Sequence, residues 1–133
     1  MEIFQEFELT NDHFELFKEE FLYWINTYSL NNWEYHFYFG KEDGGDDTAR
    51  SHICRDHTGR ICLVFLNNMW VGTEPTEKSI RHSAYHEVTE MLLSKINDIA
   101  HNREFSKEEL EEAIHTVIRT LENTHWKLDL EVR

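Results

Sequence analysis

The sequence predicts an α+β fold: an N-terminal helix, a small antiparallel sheet of about three strands, and two C-terminal helices. Three observations predict it. Aromatic residues recur at helical spacing near the N-terminus. Bulky residues then alternate, or run continuously, in short stretches. Two late segments carry helix-start signals ahead of apolar stripes. Of 133 residues, 40% are hydrophobic and 14% aromatic, which supports one packed domain over 1–133 rather than two. Five glycines and one proline leave few places for turns, so the elements are few and some helices are long.

Asn11 or Asp12 is expected to cap a first helix that runs to about Tyr28, with Phe14, Phe17, Phe21, Leu22, Trp24, Ile25 and Tyr28 at core spacing. Asn31-Asn32 marks a turn. Trp33, Tyr35, Phe37 and Phe39 alternate with Glu34, His36 and Tyr38, the period of a half-buried strand. Gly40 to Asp47 reads as a loop or turn. Its carboxylates Glu42, Asp43, Asp46 and Asp47 lack the spacing and the closing glutamate of a calcium-binding EF-hand. Ala49–Arg55 and Arg60–Asn67 form a hairpin around Asp56-His57-Thr58-Gly59, and the continuous run Ile61–Leu66 is expected to be covered on both faces. A connection over Asn67–Pro75 leads to a helix from Thr76 or Glu77 to Ile99. Ser106-Lys107-Glu108-Glu109 has the capping-box form and opens a last helix to about Asn123, with Leu110, Ala113, Ile114, Val117, Ile118 and Leu121 as its apolar stripe. Leu128, Leu130 and Val132 read as a short terminal strand or a tail.

The formal net charge of −13, from 26 acidic and 13 basic residues, argues against a nucleic-acid backbone or an anionic membrane as partner. It leaves room for an acidic surface that imitates nucleic acid and occupies a basic partner, although a solvated acidic face is the simpler account. Met1-Glu2-Ile3-Phe4 has neither the basic nor the apolar region of a signal peptide, and no apolar run approaches the ~20 residues that cross a bilayer. A cytoplasmic location is therefore expected, with Cys54 and Cys62 as free thiols. Because the two cysteines flank the hairpin turn, a disulfide or a metal role for them stays open.

The segment with the most chemical content is His86-Glu87-Val88-Thr89-Glu90. On a helix His86 and Glu90 lie one turn apart on one face, and Glu87 projects beside them. Two ligands with a flanking carboxylate is the arrangement of the zinc-hydrolase motif H-E-x-x-H, here with Glu in place of the second His. Such sites take a third protein ligand. His115 on the last helix is the leading candidate, because a short link makes the last two helices expected neighbours. The apolar arc of the motif helix is Ile80, Ala84, Val88, Met91, Leu92 and Ile99, and His86 and Glu90 fall outside it. Either the last helix covers that second face or the pair faces water.

Over about Ser79 to Asn123 the chain resembles the small zincin-like metallopeptidases of phage and prophage genomes. The resemblance rests on His86-Glu87-Val88-Thr89-Glu90-Met91-Leu92-Leu93 and on Val117-Ile118-Arg119-Thr120-Leu121-Glu122. Many relatives have His at the position of Glu90 and an acidic residue at that of His115, so the ligand types are kept but exchanged. The resemblance implies a zincin-like domain whose metal-site helices are 77–99 and 106–123, and, if phage-encoded, residence in the host cytoplasm.

The expected function is a zinc-dependent hydrolase, most simply a metallopeptidase. His86, Glu90 and His115 would hold one Zn²⁺ and Glu87 would act as general base. Around them, Glu111 and Glu112 are reserve ligands or orient His115, His82 could widen the site, and Arg119 either pairs with a neighbouring glutamate or steadies developing negative charge. His36, His52, His57, His101 and His125 lack ligand spacing. The partner is a peptide or protein substrate, received by strand addition if one strand is an open edge. Two alternatives stand beside this: a zinc-stabilised interaction protein without turnover, and an acidic phage-type effector that binds a host protein.

Overall fold

Aromatic side chains from the first helix fill one face of a short sheet, and a second helix closes the same core from the side. The structure, a computed structural model, describes residues 5–40, 49–102 and 104–132. Its elements are β1 (Glu6–Glu8), α1 (Asn11–Thr27), β2 (Glu34–Phe39), β3 (Ser51–Asp56), β4 (Ile61–Leu66), β5 (Met69–Val71), α2 (Glu77–Leu92), α3 (Ser94–His101), α4 (Lys107–Leu121), a π-helical turn (Glu122–Trp126) and α5 (Lys127–Val132). The α+β class is as expected, but the strands form two small sheets. The acidic loop carboxylates Glu42, Asp43, Asp46 and Asp47 lie outside the described residues.

Thr10, not Asn11 or Asp12, caps α1: its hydroxyl accepts from His13 N while the His13 ring accepts from Thr10 N at 3.0 Å. Phe17, Phe21 and Ile25 are fully buried along the inner face of α1. Phe21 meets Tyr35 and Phe37 edge-on at 5.5 and 5.2 Å, and Phe14 stacks on Phe39 at 5.1 Å. The alternation read in β2 thus places Tyr35, Phe37 and Phe39 on the helix side.

The three-stranded sheet has the order β2-β4-β3, with β3 antiparallel to β4 but β2 parallel to it. This corrects the wholly antiparallel expectation, and the reason is geometric. The hairpin fixes β3 beside β4, and the most apolar strand takes the centre. Phe39 and Ser51 both lie level with Leu66, where Gly40 N bonds Leu66 O and Asn67 N bonds Arg50 O. The chain leaves β2 and enters β3 at the same end of the sheet, so β2 and β3 run in opposite directions. A strand between them must then be parallel to one. Among the described residues helices cover β4 on one face only, not on both as its continuous apolar run led one to expect. Cys62, Val64 and Leu66 are buried there, while Leu63 and Phe65 are half-buried on the other face, where Phe65 packs on Tyr38 and His52. In the hairpin turn Arg60, which follows Gly59, adopts the left-handed conformation (φ 55°).

A second sheet, absent from the sequence reading, pairs β1 antiparallel to β5 and seats Trp70 in the core. The helix expected over 77–99 is two helices. Thr76 caps α2, and the helix breaks at Leu93, which takes φ −91° and ψ 1°. Thr89 sits just before the break with its hydroxyl bonded to Tyr85 O, a back-bond that bends helices. The C-terminal residues 127–132 are helical, not a strand or tail. No helix among the described residues is long and apolar enough to cross a membrane.

Phe21 joins α1 to both β2 and the centre of the core, so Phe21→Ala should lower unfolding free energy by about 3–5 kcal/mol. Urea titration followed by fluorescence measures this. A loss below ~1 kcal/mol would mean that α1 is not seated on the sheet.

Candidate metal and acid–base site

The phase of α2 decides where its chemical groups point. Ile80, Ala84, Val88 and Met91 are buried against α1 and the sheet. His86 and Glu90 are exposed, with side chains 65% and 53% accessible, and their Nε2 and Oε2 lie 3.8 Å apart. Of the two readings left open by the helical phase, the solvent-facing one holds. Glu87 falls between these faces and is only 3% exposed.

Ser51, the first residue of β3, donates its hydroxyl to Glu87 Oε2 in a short hydrogen bond, and also reaches Ser83 Oγ at 3.4 Å. Burial is the main reason that the Glu87 carboxyl is pushed up to about 8. A hydrogen bond with the neighbouring Glu90 carboxyl and its negative charge add to the rise, and the Ser51 bond opposes it. At neutral pH Glu87 therefore holds a proton and shares it towards Glu90.

One ligand atom from each of His86, Glu87 and Glu90 lies within 4.8 Å of the others. Among the described residues no other group of three His, Cys, Asp or Glu side chains converges in this way. Donor atoms around a tetrahedral zinc at ~2.0 Å sit about 3.3 Å apart. Exposed His86 and Glu90 side chains have the freedom to close that difference. One imidazole and two carboxylates are suitable donors for a divalent ion. An adjoining cleft of about 260 Å³ is lined by Ala49, Arg50, Ser51, His82, Ser83, His86 and Glu87. His82, one turn before His86, sits on its rim.

His115 is not in this group. It is exposed on α4, and its Nδ1 lies 2.8 Å from Glu111 O of its own helix. The carboxylate of Glu111 is 3.9 Å from Lys107 Nζ, and Glu112 pairs with Arg119 at 2.6 Å. Glu111, Glu112 and Arg119 thus bond along α4, and none joins His86 and Glu90. The physical cause is the break at Leu93: α3 interposes a change of direction, and α4 packs on α3 rather than along α2.

Neither cysteine belongs to the site. Register places Cys54 opposite Leu63 and Cys62 opposite Arg55, on opposite faces of the sheet, and both are free thiols. Burial holds the Cys62 thiol up to about 12, so it stays protonated.

Two features escaped the sequence reading. Ser51 and Ser83 form the inner wall behind Glu87. Ser83 had a signal, one turn before Glu87 on the same helix face, while Ser51 is brought there only by the sheet. The second feature is the chain Tyr85 OH, Tyr28 OH and His125 Nε2, with contacts of 2.9 and 2.5 Å beside Trp24. It fastens the π-helical turn to α1 and α2. No protein-family model, curated protein or solved structure matches this chain.

The raised carboxyl predicts a pH signature. An unfolded glutamate titrates near 4.5 and folded Glu87 near 8. Below 4.5 the proton is present in both states. Between about 4.5 and 8 only the native state holds the proton, so its stabilising contribution falls as pH rises across that window and is gone above 8, where the native state must bury a charge. Glu87→Gln, neutral at every pH, should match wild type near pH 5 and exceed it by a few kcal/mol near pH 9. Denaturant unfolding of both proteins at pH 5, 7 and 9 reads the gap, and a gap independent of pH would contradict a protonated Glu87.

Proposed function

We propose that the protein is a divalent-metal-dependent hydrolase, most simply a zinc peptidase, with His86 and Glu90 as metal ligands and Glu87 as the proton-transfer group. One observation carries this reading: a buried carboxyl of raised proton affinity lies directly behind an exposed imidazole–carboxylate pair, at the wall of an open cleft. A divalent ion held by the pair would supply a water of lowered pKa. Its positive charge would also favour the ionised form of Glu87, whose proton would leave to solvent and free the carboxylate to act as a base. Glu87 is placed to accept a proton from an attacking water and deliver it to the leaving group, while Ser51 keeps the carboxyl oriented. His82, on the cleft rim, is better placed than His115 to add a third nitrogen.

Edge strand β3 supports a peptide as substrate. Asn67 N bonds Arg50 O across the hairpin, whereas Leu66 O and Arg60 O accept from the β2 side. By the alternation of an antiparallel ladder, Ser51, Ile53 and Arg55 turn their main-chain N–H and C=O away from β4. No strand pairs with that outer side among the described residues. The side chains of Ser51 and Arg55 touch α2 at Glu87 and at Glu90 O. An extended peptide added to this edge would run beside the cluster.

A second reading is favoured by the same Ser51–Glu87 contact. A protonated glutamate bonded on both sides can simply fasten β3 to α2, with any metal binding serving stability or a protein partner instead of turnover.

Metal analysis of protein purified without metal-affinity resin should find about one equivalent of zinc, lost in His86→Ala. A peptide-library digest should show chelator-sensitive cleavage that falls ~10²–10⁴-fold in Glu87→Gln while the metal stays bound. Bound metal with no cleavage selects the second reading; no metal in the wild type removes the hydrolase reading and leaves Glu87 as a fastening between β3 and α2.

A further inference from the structure

A second cavity, of about 500 Å³, opens where the end of α1, the turn of the β3–β4 hairpin, the start of α3 and the middle of α4 meet. That volume is in the range of small-molecule sites. Met91, almost fully buried, forms its apolar side with the half-buried Leu30 and Leu92.

The cations of this cavity stand out in a chain of net charge −13. Lys18, Arg81, Lys107 and Arg119 each pair with a glutamate. Arg60 and Lys95, both exposed at the cavity, pair with no carboxylate among the described residues. Asp98 is the one acid in the wall, and His57 Nε2 already engages it at 2.9 Å. That bond ties the hairpin turn to α3, which brings together the two elements that carry Arg60 and Lys95. Acids on the adjoining segments are committed too. Asp56 accepts from Thr58 N and Gly59 N, Glu34 lies 3.4 Å from His36, and Glu112 pairs with Arg119. Trp33 steadies Arg60, whose guanidinium is 5.8 Å from the ring centre.

The backbone points to the same place. Ser29 (φ 56°) and Arg60 (φ 55°) are the two described residues other than glycine in the left-handed region, and both line this cavity. Ser29 is the left-handed cap of α1, where Leu30 N bonds Ile25 O at 2.9 Å. Glycine would satisfy the backbone at either position without steric cost. What it could not supply is a hydroxyl and a guanidinium at the cavity wall. On the α4 side Thr116 and Thr120 donate to Glu112 O and Thr116 O, which leaves lone pairs of both hydroxyl oxygens as acceptors.

We propose that this cavity binds a small hydroxylated phosphomonoester, with its phosphate on Arg60 and Lys95 and its hydroxyls toward Thr116 and Thr120. Two cations without a carboxylate partner match a group of nearly two negative charges better than a single carboxylate. The cavity shares no lining residue with the cleft at Glu87, so the proposal does not depend on the metal-site reading.

Calorimetric titration of the full chain with ribose 5-phosphate should show one equivalent bound with a dissociation constant below about 1 mM. Inorganic phosphate should bind about tenfold or more weakly, and ribose should give no heat. Arg60→Gly, which places glycine at a left-handed position, should keep the wild-type circular dichroism and weaken binding about tenfold or more. Lys95→Gln should weaken it about threefold or more. His86→Ala should bind as wild type does. No heat from ribose 5-phosphate overturns the proposal, as does binding unmoved by both Arg60→Gly and Lys95→Gln. Loss of binding in His86→Ala would assign the anion to the metal cluster and overturn it equally. Inorganic phosphate or ribose bound as tightly as ribose 5-phosphate would overturn the ligand class.

Discussion

The contact between α1 and α2 over one face of the sheet is the constraint from which the remaining geometry follows. Phe17, Phe21 and Ile25 on one helix and Ile80, Ala84 and Val88 on the other are each within 1% of complete burial. Ala84 keeps the facing surface low enough for the helices to approach closely. At the rim, Glu20 accepts from Trp24 and pairs with Arg81 at 2.6 Å, which in turn pairs with Glu77. Once that face of α2 is committed to the core, the helical period leaves His82, His86 and Glu90 no direction but outward. Glu87 falls on the boundary and meets the start of β3.

That boundary position explains why Glu87 is chemically unusual. It lies near the C-terminal end of α2, whose last turn carries no basic residue. The loss of water and the nearby Glu90 both oppose a second negative charge. Two things relieve such a site: a proton or a cation. The proton is the solution at neutral pH without metal. A cation between His86 and Glu90 would compete with it, so metal affinity and the protonation of Glu87 are linked. The exposed pair and the buried acid therefore act as one unit, although only the pair is open to solvent.

The sequence carried the local part of this reliably. The strand period of Tyr35, Phe37 and Phe39, the Thr76 and Ser106 helix starts, and the shared stripe of His86 and Glu90 depend on neighbours within a few residues. Their signals survive without knowledge of the rest. The sheet order was not legible, because nothing in Glu34–Phe39 states whether β3 or β4 lies beside it. Ser51 was invisible as a partner of Glu87 for the same reason: thirty-six positions separate them, and the hairpin register joins them. The break at Leu93 has no glycine or proline to announce it.

His115 shows how one such gap propagates. An apolar stripe states that a face must be buried; it does not state against what. Leu110, Ala113, Ile114, Val117, Ile118 and Leu121 were read as a core face, and a core face on α4 would have carried His115 toward α2. The turn at Leu93 removes that premise. Of the stripe only Ala113 is fully buried, with Leu110 and Val117 half-buried beside it, and His115 stays beside the outward-facing Ile114 and Ile118. The same displacement leaves the His86–Glu90 stripe uncovered, which keeps the cluster open to water and to whatever lies along β3. A coordination shell assembled from α2 and its adjoining cleft, rather than from two packed helices, is the arrangement this topology permits.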